Sequence, residues 1–191
     1  MNFSKTEIIH LLLSIIALGI AFAIAYETEF FLAVLTLGLA FILHELAHKL
    51  AAQHYGCMAE FRADFRMLIL AVLLSFLGVV FAAPGAVLIA SRRPMKKKEF
   101  GLIAAAGPTA NIILSAIFLT LFVIGSAPLK TVSAVGFMVN SWVSLFNIIP
   151  FMDFDGRKVL YWSRAVFWTM TIISALLVII SEFFVNVPPV Q

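Results

Sequence analysis

The chain has 191 residues, 63% of them hydrophobic and only 12% charged, with a formal net charge of +3. Soluble domains average about 45–50% apolar and about 25% charged, so this composition excludes an ordinary soluble fold and points to one embedded in a membrane. The single cysteine, Cys57, excludes an internal disulfide and a cysteine zinc cage, which leaves His, Asp and Glu to hold any metal.

Residues 8–26, IIHLLLSIIALGIAFAIAY, are long and apolar enough to span, and the next apolar run follows at once, so they read as a retained first span rather than a cleaved signal. Residues 30–53 form the second span. It contains FILHELAHKL, in which His44, Glu45, His48 and Lys49 sit inside an apolar run where ionisable groups are expensive. His44-Glu45-Leu46-Ala47-His48 is HExxH. On a helix, residues i and i+4 stand on one face about 6 Å apart along the axis, so two imidazoles can grip one metal ion. Glu45 lies beside them, placed to take a proton from water on that ion. With a start near Phe30, His44 is about 21 Å along the helix. In a core about 30 Å thick the site lies about a third of the way in from the inner face. His10 and His54, near span ends, read as histidines satisfied by local partners.

Residues 57–67, CMAEFRADFRM, alternate apolar and charged side chains and predict a strand at the membrane surface. Residues 68–90 are apolar but contain the turn signal Ala83-Pro84-Gly85; they either cross or return. The basic run Arg92-Arg93-Pro94-Met95-Lys96-Lys97-Lys98 lacks aromatic interleaving. It reads as a cytoplasmic anchor, and no nucleic acid is expected as a partner. Spans over 101–125, 131–150 and 159–184 complete the chain, and the tail VNVPPVQ is expected to fray. With the N-terminus inside, a crossing at 68–90 would put the basic loop outside, so the positive-inside tendency favours a return. The expected fold is one all-α polytopic membrane domain over residues 1–191. It has about five to six transmembrane helices and a small membrane-associated β element after the second.

Two histidines do not complete a catalytic metal site, which needs a third protein ligand and an open position. Residues 147–156 read NIIPFMDFDG. Pro150 breaks the helix there and Gly156 permits an unusual turn. Irregular backbone at membrane depth is tolerated where it lines an enclosed or wet cavity. Asp153 and Asp155 both compete for the third position, and spacing does not choose between them.

HExxH in an early span, Asn147-x-x-Pro150-x-x-x-x-Asp155-Gly156 in a later one, and AAGPTAN with Gly107, Pro108 and Asn111 between them resemble the site-2 protease family of intramembrane zinc metalloproteases. The resemblance covers residues 30–160 and corresponds to a compact form without a PDZ domain. It departs from the family pattern in the long stretch 68–90 and in the single span after Asp-Gly. It implies one zinc ion on His44, His48 and Asp155, with Glu45 as general base. The implied reaction is hydrolysis of peptide bonds in or next to transmembrane segments, as in regulated intramembrane proteolysis. It further implies that Asn147 orders the broken segment, that Gly107 allows close backbone approach, and that Asn111 contacts substrate or the oxyanion.

Partners are then transmembrane proteins or peptides and the lipid bilayer. The setting is the cell membrane, multi-pass, with the N-terminus and active-site side cytoplasmic. The metal strengthens the topology argument. His44 and His48 can meet Asp155 only after an even number of crossings, which 101–125 and 131–150 supply. The alternating strand offers an edge to which an unwound substrate segment can pair. The rival reading is a zinc or proton-coupled transporter using the same His and Asp residues. Such proteins usually show paired, repeat-related broken helices, whereas one broken segment is evident here.

Overall fold

The computed structural model describes residues 3–80 and 84–184. Five helices are long and apolar enough to cross a membrane: Lys5–Tyr26 (α1), Phe30–His54, Lys97–Ile124 (α5), Ala127–Ile148 (α6) and Arg164–Phe183, within α8 (Arg164–Phe184). The protein is thus a polytopic helical membrane protein with a small sheet, as its composition requires. The Phe30–His54 span is one continuous rod made of α2 (Phe30–Ala33), a π-helical turn (Val34–Gly38) and α3 (Leu39–His54). The wider turn sits one helical turn ahead of the HExxH motif. Thr36 Oγ1 donates to the Leu32 carbonyl at 2.7 Å there, satisfying a hydroxyl in the core.

The expected strand is shorter than its alternation suggested. β1 runs Met58–Ala63 and stops because Asp64 caps α4 (Phe65–Ser75), its carboxylate accepting from the N–H groups of Arg66 (3.0 Å) and Met67 (3.2 Å). The charge alternation therefore runs on into a helical first turn. α4, about 16 Å long, cannot cross a core about 30 Å thick. The chain then comes back as β2 (Gly85–Ala90), antiparallel to β1 with Phe61 opposite Val87 and Ala63 opposite Gly85. So 68–90 do not form a span. Ala83 of the turn signal lies outside the described residues, as does the tail from residue 185.

The last expected span, 159–184, is also divided. α7 (Asp155–Trp162) ends at Ser163, whose backbone is extended, and α8 starts afresh at Arg164. α7 carries Arg157 and Lys158 and exposes Tyr161, a pattern suited to a membrane face rather than its interior. α5 begins before residue 101, at Lys97, because Glu99 accepts from the Lys96 N–H at 3.0 Å and pairs with Arg93, giving a solvated first turn.

The outer edge of β1 is tied to α1. Phe61 N–H donates to Glu7 Oε1 and Ala63 N–H to His10 Nδ1, each at 3.1 Å. Glu7 Oε2 in turn pairs with Lys49 Nζ at 2.5 Å, both side chains 1% exposed. The pair locks α1, α3 and β1 together directly behind the motif. Removing one partner of a buried ion pair strands the other charge, at about 3–5 kcal/mol. Lys49→Met is accordingly expected to lower the thermal midpoint in detergent. Lys49→Met with Glu7→Gln, which keeps an acceptor for Phe61, is expected to recover most of the loss. Equal midpoints for the single variant and the native chain would remove this role.

Candidate metal centre

α3, α5 and α7 meet about 9 Å from the helix ends at His54 and Lys97, at 1.5 Å per residue. His44 and His48 present Nε2 atoms 3.0 Å apart. Asp155, first residue of α7, brings Oδ2 to 2.9 Å from His48 Nε2 and 3.3 Å from His44 Nε2. All three residues are buried and can offer ligand atoms to one ion. Asp153 is exposed and lies outside this group, although it lines the adjoining cavity.

The rear nitrogens define what this cluster accepts. His48 Nδ1 is 2.8 Å from the Ile103 carbonyl, which can only accept, so Nδ1 carries the proton. His44 Nδ1 is 2.6 Å from Asn111 Oδ1. Asn111 is fixed in that orientation because its Nδ2 donates to the Ala40 carbonyl (3.1 Å) and to Asn140 Oδ1 (2.9 Å). Asn140 is oriented in turn by donating to the Gly136 carbonyl at 2.8 Å. With both Nδ1 atoms donating, both neutral rings aim Nε2 lone pairs at one point, together with a carboxylate oxygen. Two imidazole lone pairs and a carboxylate oxygen brought to within 2.9–3.3 Å of one another repel unless a cation sits among them. The donor set of two His and one Asp fits zinc, and the hydrogen-bonded rear nitrogens are the usual support for such ligands.

Glycines make the close approach possible. A Cβ on Gly107 would stand 2.6 Å from His44 Nε2 and closer still to His48 Nε2, while one on Gly156 would strike the Ile148 carbonyl. Gly156 thus lets the start of α7 press against the end of α6. Pro150 follows the C-cap of α6 and opens the irregular segment that turns into α7.

The structure places the two asparagines of the resemblance as follows. Asn111, expected to touch substrate or the oxyanion, is fully buried and supports His44. Asn147, expected to order the broken segment, donates to the Val143 carbonyl of its own helix at 2.9 Å. It also lines the cavity.

Glu45 is buried beside the cluster but outside it. The backbone of Val87 on β2 lies beside its carboxylate, and Oε2 has no hydrogen-bond partner in the protein. Lys158 Nζ approaches the second oxygen of Asp155 at 3.3 Å, leaving Oδ2 to face the imidazoles. Sequence reading missed Lys158, Asn140 and the backbone groups of Ile103 and Val87. Asn140 alone left a signal, as a polar side chain in mid-span. A cavity of about 1330 Å³ opens from the cluster, walled by apolar side chains that include Phe22, Phe41, Val139 and Phe146, and by β2.

Asp155→Asn is expected to weaken zinc binding at least tenfold, by removing a charged ligand atom, while Asp153→Asn retains full stoichiometry. Metal analysis of the two purified variants checks this, and the reverse pattern would move the third ligand to Asp153.

No family model matches the chain and no solved structure matches it. It is 40% identical over 170 residues to "Putative zinc metalloprotease MJ0611" of Methanocaldococcus jannaschii, covering 85% of this chain and 87% of that relative. The aligned length takes in most of both proteins, and the buried His-His-Asp group provides the donor set that name requires. The chain belongs to this zinc metalloprotease family.

Proposed function

We propose that the chain is an intramembrane protease of the site-2 type, cutting peptide bonds in or next to transmembrane segments in regulated intramembrane proteolysis. The observation that carries this reading is a buried ligand cluster below the ends of its spans, opening onto a large apolar cavity with a partnerless carboxylate oxygen beside it. One zinc ion on His44, His48 and Asp155 supplies an acidified water and a Lewis acid for the scissile carbonyl. Glu45, held between the cluster and β2, keeps Oε2 free to accept the proton of the attacking water and to pass it to the departing amine. Ion transport has no comparable use for a base held in this way. We place the N-terminus and the site on the cytoplasmic side of the cell membrane, with the basic run 92–98.

A transmembrane helix hides every carbonyl in its own hydrogen bonds, so the substrate must unwind before it is cut. The edge expected to receive it on the 57–67 strand is taken by Glu7 and His10. Since Phe61 and Ala63 face α1, their partners Val87 and Gly85, and by alternation Ile89, turn their backbone groups away from β1; all three line the cavity. Val87 faces Glu45, so Gly85 and Ile89 are the positions through which the β2 edge pairs with an extended substrate. Ile89→Pro, which deletes one outward N–H and spares the ladder, is expected to slow cleavage about tenfold with zinc content unchanged.

The direct test uses zinc-loaded protein in liposomes with single-span peptides, with and without Gly, Pro or Asn in the apolar segment. Cuts mapped within or beside the span, faster for the helix-breaking set, are expected. Cleavage confined to soluble peptides would sink the intramembrane reading.

A further inference from the structure

A second cavity, of about 530 Å³, lies away from the metal cluster and is lined by Lys97, Arg157, Leu160, Tyr161, Trp162 and Arg164. Three cations converge there, and its lining contains no carboxylate. Lys97 Nζ rests over the Tyr161 ring, 4.5 Å from its centroid, and Arg157 Nη1 donates to the Met152 carbonyl at 3.1 Å. Among the described residues the ion pairs involve Lys49, Arg62, Arg93 and Lys158, the pairs to His aside, so no carboxylate neutralises these three. Like charges gathered without a counter-charge repel, and an anion relieves this.

The position of the pocket says which anion. Lys97 and Arg164 are the first residues of α5 and α8, two of the candidate spans, so the pocket lies where spans enter the membrane. Their helix N-termini add positive character, and Tyr161 and Trp162 are aromatics of the kind found at headgroup depth. From Arg164 an exposed apolar stripe runs down α8 at helical spacing through Trp168, Ile172, Leu176 and Ile179. A free phosphate has no use for such a track; an acyl chain does.

We propose that this pocket binds the headgroup phosphate of an anionic phospholipid, with an acyl chain laid along the α8 stripe. The occupant bridges α5, α7 and α8, and α7 carries Asp155 at its other end, so the lipid braces the helix that delivers the third ligand. The proposal rests on membrane embedding and not on proteolysis, so either reading can fail without the other.

The full-length chain is reconstituted in phosphatidylcholine nanodiscs containing a minority of phosphatidylglycerol. Lipids retained after gentle release are counted by native mass spectrometry, with zinc content recorded alongside. The native chain is expected to hold phosphatidylglycerol about tenfold or more above its bulk share. Lys97→Gln with Arg164→Gln should fall to the bulk share, and Lys97→Arg with Arg164→Lys should restore retention. No enrichment on the native chain overturns the proposal whatever the variants do, as does equal enrichment on the neutral variant. Complete displacement of the lipid by inorganic phosphate would assign the pocket to a free anion instead.

Discussion

Glu45→Gln is expected to abolish cleavage while leaving zinc in place. Glu45 contributes no atom to the ligand cluster, which is complete in His44, His48 and Asp155. Glutamine is nearly isosteric, and its carbonyl oxygen can face the Val87 backbone as one carboxylate oxygen does now. The exchange then falls on the other position, where Oε2 has no partner in the protein. An acceptor of protons becomes an amide nitrogen that only donates, so the attacking water keeps its proton and the leaving amine receives none. Loss of a positioned acid–base group costs about 10²- to 10⁴-fold in rate. Metal analysis and a cleavage assay on one preparation separate the two effects. Undiminished cleavage by the glutamine variant would remove Glu45 from the chemistry; loss of zinc would show that it supports the metal.

The parts of the fold that the sequence made legible are those governed by local periodicity. Spans are apolar over lengths set by bilayer thickness, and HExxH fixes two side chains on one helical face whatever surrounds it. The topology was legible because a metal imposes a distance condition: Asp155 and His48 must arrive on the same side, which excludes a crossing at 68–90. What remained hidden depends on contacts between distant elements. The alternation at 57–67 could not show that Asp64 ends the strand by capping a helix, nor that GAVLIA at 85–90 is its partner, since a short apolar run serves equally in a strand or a helix. The break at Ser163 was masked because the Ser163-Arg164 pair sits between the apolar runs 159–162 and 165–168. Asn111 shows the limit most clearly. Its place in the motif marked it as important, but its role was decided by Ala40 and Asn140, on two other helices, which claim its amide nitrogen and turn its oxygen to His44.

Gly107→Ala is the most demanding test of the metal centre, because helix propensity and the crowding of the site pull in opposite directions. Gly107 lies inside the 28-residue helix α5, where glycine is about 1 kcal/mol less favourable than alanine. On helix propensity alone the substitution should stabilise the chain. The added methyl, however, would stand 2.6 Å from His44 Nε2 and nearer to His48 Nε2, the atoms that grip the ion. Both imidazoles must swing aside, breaking the hydrogen bonds to Asn111 and Ile103 that aim them. Zinc affinity is expected to fall at least a hundredfold, and cleavage with it. The thermal midpoint of the metal-free protein should fall only modestly, because the propensity gain offsets part of the cost of the broken hydrogen bonds. A simple folding defect lowers the midpoint while the folded fraction keeps native zinc affinity. Wild-type zinc affinity in the alanine variant would show that the ion does not sit against this face of α5, and would leave the glycine as a packing residue between helices.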